Sequence, residues 1–218
     1  LISAYSESLV KEIDTNPELV VLDADLIKDT GTLEFKKHKP KQFIECGIAE
    51  QDMVSQAGAI ALTGSLPIVH SFACFLSTRP NEQIYNNATE KTKIIYVGSL
   101  AGILPAGPGH SHQSVRDIST LSSIPDLLMI QPSTEQEVKL ALDYCVNINK
   151  TSSYIRLVSI PTQVPFSLMN DYTLEKGKGT TILDGNDCLV FSYGPTMLTQ
   201  AYEASDKLSN KSINIKLI

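Results

Sequence analysis

Short apolar, β-branched runs alternate with amphipathic helical patterns along this chain, and that alternation constrains the fold more than any other feature. Leu19–Ala24, Ile68–Val69, Ile94–Val97, Leu127–Ile130 and Tyr154–Val158 have strand character. Ala49–Leu62 carries Met53, Val54, Ala57, Ile60 and Ala61 at helical spacing and stops at Gly64. Ser133-Thr134-Glu135-Gln136 has a capping-box pattern, with Ser133 as the cap and Gln136 three residues later, and opens a helix through Val138, Leu142 and Val146. Near-continuous apolar strands joined by helices predict an α/β fold, a parallel sheet covered by helices on both faces. Ligands bind such sheets at the carboxyl ends of the strands. The chemistry is therefore expected at Asp23–Asp25, at His70–Phe72 and in the loop after Val97.

The pattern breaks after residue 160. Pro161, Pro165 and Gly177 punctuate a stretch with few apolar pairs, which predicts a linker over 161–178. A strand at Cys188–Ser192, a helix at Met197–Leu208 and a strand at Ile213–Ile218 follow. One strand-helix-strand unit is too small to stand alone. Residues 179–218 are thus expected to be the beginning of a second α/β domain, 1–160 the first domain, and the sequence a fragment of a longer polypeptide.

Composition narrows the function classes. Of 218 residues, 42% are hydrophobic and 19% charged, with no apolar stretch long enough to cross a bilayer. The opening LISAYSESLVKEI lacks the basic start and cleavage site of a signal peptide and predicts an amphipathic helix. The net charge of −6, and a longest basic run of only Lys36-Lys37-His38-Lys39 in a predicted loop, argue against a nucleic-acid binder. None of Cys46, Cys74, Cys145 and Cys188 forms a C-x-x-C pair, and three lie in apolar runs, where they are expected as small buried hydrophobes. A reduced, cytoplasmic compartment fits that usage.

Three segments carry chemical information. They are Glu45-Cys46-Gly47-Ile48-Ala49-Glu50-Gln51; His70-Ser71-Phe72-Ala73-Cys74-Phe75, continuing to Arg79 and Glu82-Gln83-Ile84; and Gly107-Pro108-Gly109-His110-Ser111-His112-Gln113. Each alone has an ordinary structural explanation. A glutamate in a first helical turn is favoured by the helix dipole. Two phenylalanines three residues apart commonly belong to a core, and His110 with His112 lacks the further ligands of a metal site. In this order and at these spacings, however, the segments resemble the transketolase family. G-I-A-E-Q resembles its pyrimidine-domain signature. S-F-A-x-F with the following Arg and E-Q-I resembles its aromatic cradle, and G-x-S-H-Q followed by I-P-D-L resembles its G-P-T-H-Q segment. Pro17 to Leu26, P-E-L-V-V-L-D-A-D-L, resembles the family's first strand and aspartate turn.

The resemblance implies the thiamine diphosphate-binding fold and a transferase moving a two-carbon ketol unit between sugars, in carbohydrate metabolism. In the family a glutamate carboxyl hydrogen-bonds the cofactor's pyrimidine nitrogen and so equips the neighbouring amino group to take the thiazolium proton. That role falls on Glu50. Phe72 and Phe75 match the aromatic positions that hold the aminopyrimidine. Asp25 matches an aspartate near the cofactor and the subunit interface. His112 matches a substrate-side histidine that would donate to a sugar hydroxyl or phosphate, with His110 and Asp29 on the same substrate side. No metal ligand is expected in this chain, since it contains no G-D-G motif. Mg²⁺ (or Ca²⁺) and the diphosphate belong, in the family, to a separate diphosphate-binding domain. The resemblance therefore implies a partner domain or N-terminal subunit, in a homodimer or heterotetramer, and it leans towards a split, two-subunit enzyme.

The sequence also departs from the family pattern. Pro108 stands at its Asp position and His110 at its Pro position. A substrate-facing histidine aligns with Leu100, a phosphate-contacting serine with Asp29, and a phosphate-site arginine with Ser159, although Arg156 lies close by. Asp where a phosphate would sit is unfavourable by roughly 4 kcal/mol at about 4 Å and an effective dielectric of 20. The alternatives are a deoxyxylulose-phosphate synthase relative, a 2-oxoacid dehydrogenase beta subunit, or a non-catalytic dimerisation homologue. S-F-A-x-F with E-Q-I speaks against the dehydrogenase subunit, and the retained Glu50 and aromatic pair speak against the non-catalytic homologue.

Overall fold

A computed structural model describes residues 1–169 and 171–218. A six-stranded sheet is built from β1 (Leu19–Asp23), β2 (Phe43–Glu45), β3 (Leu66–Phe72), β4 (Ile95–Ser99), β5 (Leu128–Ile130) and β6 (Ser153–Arg156), in the order β2-β1-β3-β4-β6-β5. Every pairing is parallel. The strands therefore all end on one edge, and the segments that follow β1, β2, β3, β4 and β6 are neighbours there.

Alternation along each strand divides the core into two layers. Val21, Ile68, Ile95, Val97 and Ile155 face one way, onto Tyr5 and Leu9 of α1 (Ile2–Thr15), Phe35 of α2 (Leu33–His38), and Val138 and Leu142 of α7 (Glu135–Asp143). Leu22, Val69, Tyr96 and Tyr154 face the other way, onto Met53, Val54 and Ala57 of α3 (Glu50–Leu62), Leu76 of α4 (Ala73–Leu76), Ile84 of α5 (Asn81–Thr89) and Leu121 of α6 (Asp117–Leu121). Helices cover both faces, as the apolar runs predict. Gly98 has a packing reason within β4. A Cβ there would lie 2.5 Å from the Tyr154 hydroxyl and 3.0 Å from the Ala73 Cα, so the bare backbone lets α4 close onto the sheet.

The structure corrects several local expectations. The α7 cap is Thr134, whose side chain accepts from the Glu137 N–H at 3.1 Å, while Glu137 reaches back to the Ser133 N–H at 2.7 Å. The box is shifted one residue from the Ser133–Gln136 reading, because the helix starts at Glu135 and so puts the Glu137 carboxylate three residues after the cap. β3 starts earlier than its two β-branched residues suggest, and β2, a short edge strand, carried no clear signal. Only Cys145 is buried; Cys46 and Cys74 are half-buried and Cys188 is exposed.

Residues 157–187 hold no helix or named strand among those described. The segment is nevertheless pinned to α7: Tyr172 Oη donates to Glu137 at 2.9 Å and Gln136 donates to the Met169 carbonyl at 3.1 Å. β7 (Cys188–Val190) and β8 (Ile215–Leu217) then pair in parallel around α8 (Pro195–Ser209), which begins with Pro at its first position. Leu189, Phe191, Tyr193 and Met197 of this unit are exposed. No helix of the described residues is long and apolar enough to cross a membrane.

Candidate active site

Gly47, at φ +69°, turns the chain from β2 into α3 and makes Glu50 the first residue of that helix. The Glu50 side chain is 3% exposed. A buried carboxylate needs donors, and three elements supply them. The helix start offers its dipole. Ser71, near the end of β3, donates its hydroxyl to Oε1 at 3.2 Å, and Arg79 donates from Nη1 to the same oxygen at 2.6 Å. No described residue donates to Oε2. A cavity of about 550 Å³ opens beside this group, lined by Ile48, Ala49, Glu50, Gln51, Asp52 and Arg79.

The aromatic residues gather at the same edge. The Phe72 and Phe75 ring centroids are 5.9 Å apart. His112 arrives from the loop after β4 and meets both rings edge-on, 5.1 Å from Phe75 and 5.9 Å from Phe72. The Arg79 guanidinium lies over the Phe75 ring, 3.7 Å from its centroid. Glu50, Phe72, Phe75 and His112, which lie on three separate segments of sequence, thus form one connected group with Ser71 and Arg79.

The His112 loop is fastened from beneath. Asp117, buried at the start of α6, accepts from Arg156 Nε at 2.7 Å and from the Tyr154 hydroxyl at 2.9 Å, and Arg156 also donates to the Ser114 carbonyl at 3.2 Å. Burial, reinforced by the Asp117 charge, raises the Tyr154 phenol well above its ordinary pKa, so it stays a donor. Ser111 Oγ lies 3.0 Å from His112 Nδ1.

Other sequence expectations separate into scaffold and rim. Asp23 is fully buried: its carboxylate accepts from the Leu26 N–H at 2.7 Å and from the Thr30 and Thr32 hydroxyls at 2.6 and 2.9 Å. Burial raises its pKa, partly countered by those bonds. His70 is also core, not site. Nε2 lies 2.6 Å from the Tyr5 hydroxyl and Nδ1 3.1 Å from the Leu22 carbonyl, which fits a neutral ring receiving from Tyr5 and donating to Leu22. Burial pushes its pKa down to about 4. These two residues are corrections to the expectation that the Asp23–Asp25 and His70–Phe72 stretches carry chemistry throughout: alternation turns one member of each inward.

Asp25, Asp29 and His110 are exposed, and none hydrogen-bonds the Glu50 or His112 side chains among the described residues. Asp25, at φ +63°, is fixed through its backbone: its N–H and that of Gly47 both donate to Glu45 Oε1, at 2.8 and 3.3 Å, tying the β1 loop to the turn that presents Glu50. Glu45, Ser71 and Arg79 stand within the three motifs, but their spacing assigns them no role; their signal in the sequence is polarity beside the expected strand ends.

The geometry suits the flat, nitrogen-bearing half of a cofactor: an aromatic wall beside a buried carboxylate with one uncommitted oxygen. No cluster of three or more His, Cys, Asp or Glu side chains able to hold a metal occurs among the described residues.

A family profile described as "Transketolase, pyrimidine binding domain" matches residues 1–159. A Methanocaldococcus jannaschii protein named as a transketolase C-terminal section is 32% identical over 219 residues, spanning 98% of this chain and 67% of that protein. A 1-deoxy-D-xylulose-5-phosphate synthase from Clostridium acetobutylicum is 27% identical, spanning 99% of this chain and 34% of that enzyme. Among solved structures, "Split gene transketolase, inactive beta4 tetramer" superposes with a TM-score of 0.86 at 30% identity, over 99% of this chain and 68% of that one. The chain thus spans about two thirds of these split relatives and about one third of the synthase.

Proposed function

Because this chain belongs to the transketolase pyrimidine-binding domain family, we propose that it supplies the pyrimidine half of the active site of a thiamine diphosphate-dependent transferase, one that moves a two-carbon ketol unit between sugars. The observation that carries the reading is Glu50: a buried carboxylate at a helix start, with Oε2 uncommitted and an aromatic wall beside it. Thiamine diphosphate supplies, when bound, an acidic thiazolium carbon able to attack a ketose carbonyl. Glu50 Oε2 holds and exchanges the proton at the pyrimidine ring nitrogen. Phe72 and Phe75 fix the plane of that ring and keep water from it, a stacking contribution of about 1 kcal/mol per pair. His112, edge-on to both rings, donates to the sugar, the exposed Asp29 and His110 form the rim through which substrate arrives, and Asp25 lies on the cofactor side near the subunit interface.

The same reading divides the chain into a pyrimidine-binding domain over 1–160, a linker over 161–178 and the start of a further domain over 179–218. Diphosphate and Mg²⁺ (or Ca²⁺) are assigned to a partner domain or N-terminal subunit, in a homodimer or heterotetramer. The names of the similar proteins, a C-terminal section and a split-gene enzyme, support this. Free cysteines fit a cytoplasmic setting. The test is turnover of ketose donors by the chain combined with its diphosphate-binding part. Activity that requires both parts, thiamine diphosphate and Mg²⁺ is expected. A complete assembly that transfers no ketol unit from any ketose sinks the reading.

A further inference from the structure

The ion pair at Glu50 leads to a second layer of the site. Both protein donors to the Glu50 side chain use Oε1, Ser71 at 3.2 Å and Arg79 at 2.6 Å. A carboxyl held by one long hydroxyl bond can still rotate, because the terminal torsion of glutamate is broad. A second, charge-assisted bond from another direction fixes its plane. Arg79 has to be held in turn, since its side chain is 40% exposed and long. Phe75 holds it twice. The guanidinium carbon lies 3.7 Å from the ring centroid, and the Arg79 N–H donates to the Phe75 carbonyl at 2.9 Å.

We propose that Arg79, stacked on Phe75, is the positioning residue for Glu50: it occupies Oε1 so that Oε2 points to the ligand in a single orientation. The proposal rests on the reading of Glu50 given above. It also gives Phe75 a role beyond the aromatic wall. One face of its ring carries the guanidinium, so Phe75 meets a ligand with its other face, beside Phe72. Phe75 then acts on the proton-exchanging carboxyl through Arg79.

The test uses the complete enzyme, with the diphosphate-binding part present, and Arg79→Gln, Arg79→Lys, Phe75→Leu and the Arg79→Gln/Phe75→Leu double variant. Arg79→Gln is expected to lower kcat by about 10- to 100-fold while the ketose KM changes less than about threefold, the pattern of an interaction needed for the reaction and not for substrate binding. Arg79→Lys, which keeps the cation but loses the fork, should recover part of kcat and also serves should the glutamine variant misfold. Phe75→Leu should lower kcat less than Arg79→Gln, and the double variant should lose less than the product of the two single losses, since residues acting in series are not additive. A readout free of turnover is the ¹³C signal of the Glu50 carboxyl in the Glu-labelled chain without cofactor. It should move in Arg79→Gln and in the same direction in Phe75→Leu. Turnover of both Arg79 variants within twofold of wild type, independent losses from Arg79→Gln and Phe75→Leu, or an unmoved Glu50 signal overturns the proposal. Wild-type turnover by Glu50→Gln, by contrast, would overturn the assignment of Glu50 itself.

Discussion

The Leu100 N–H donates to the Ser159 hydroxyl at 2.7 Å, bridging the segments that leave β4 and β6 at the carboxyl edge of the sheet. Leu100 takes φ +55° to make this contact. The Ser159 oxygen is therefore engaged with backbone, Leu100 presents an aliphatic side chain, and Arg156 is committed to Asp117. No side chain at these two positions can offer positive charge to a substrate.

That arrangement, with Asp29 exposed on the loop after β1, predicts a substrate preference. Removing the terminal phosphate from a sugar substrate should cost the enzyme little, and Asp29→Ser should improve catalytic efficiency for the phosphorylated sugar. Matched sugars with and without phosphate, compared in wild type and Asp29→Ser, measure this. A hundredfold wild-type preference for the phosphorylated sugar, roughly 2.7 kcal/mol, contradicts it.

Glu50→Gln should fold normally and lose nearly all turnover. Gln can accept from Arg79 and Ser71 through its amide oxygen, so the packing survives, but its amide cannot exchange a proton with a ring nitrogen. Circular dichroism should match wild type while kcat falls by at least about a hundredfold. Activity close to wild type removes Glu50 from the mechanism.

Thiamine diphosphate should bind the isolated chain weakly or not at all, and bind once the diphosphate-binding part is added. The described residues offer an aromatic wall and a carboxylate but no metal cluster. Titration calorimetry with and without Mg²⁺ decides the matter; tight, Mg²⁺-dependent binding to the chain alone contradicts the expectation.

His70 makes stability depend on pH. Its pKa in the fold is about 4, pushed down from an ordinary 6.5 by burial. As pH falls below about 6.5 the unfolded chain takes up a proton that the folded chain refuses, so stability declines until pH approaches 4, by about 3 kcal/mol in all. The raised pKa of Asp23 acts in the opposite sense, so the comparison must be differential. Urea midpoints at pH 7 and pH 4.5 should fall further apart in wild type than in His70→Gln. Equal pH dependence in the two proteins would show that His70 is not the titrating group.

Much of this was legible in the sequence, for identifiable reasons. The two-faced sheet could be read because Ile68 and Val69, or Tyr96 and Val97, are apolar in succession, and only a strand covered on both sides permits that. Glu50, Phe72, Phe75 and His112 could be read because each sits in a spaced motif, and parallel strands bring such motifs to one edge. Ser71 and Arg79 were harder to read: nothing in linear spacing says that a hydroxyl 21 positions away and a guanidinium 29 positions away converge on one carboxylate oxygen. His70 and Asp23 misled because a polar residue at a strand end looks the same whether it turns outward or inward. Inward orientation depends on partners such as Tyr5, 65 positions away.

Asp23 has a consequence for how such a site can diversify. One buried carboxylate gathers the Leu26 amide and the Thr30 and Thr32 hydroxyls, so the 26–32 part of the loop is held from the inside. Lys28 and Asp29 are exposed on the outside of that part and carry none of its internal side-chain bonds, whereas Asp25 is held at φ +63° through its N–H to Glu45. The rim can therefore be rewritten residue by residue while the hub keeps its shape. A lineage could alter the chemistry of that outer surface without refolding the loop that carries it.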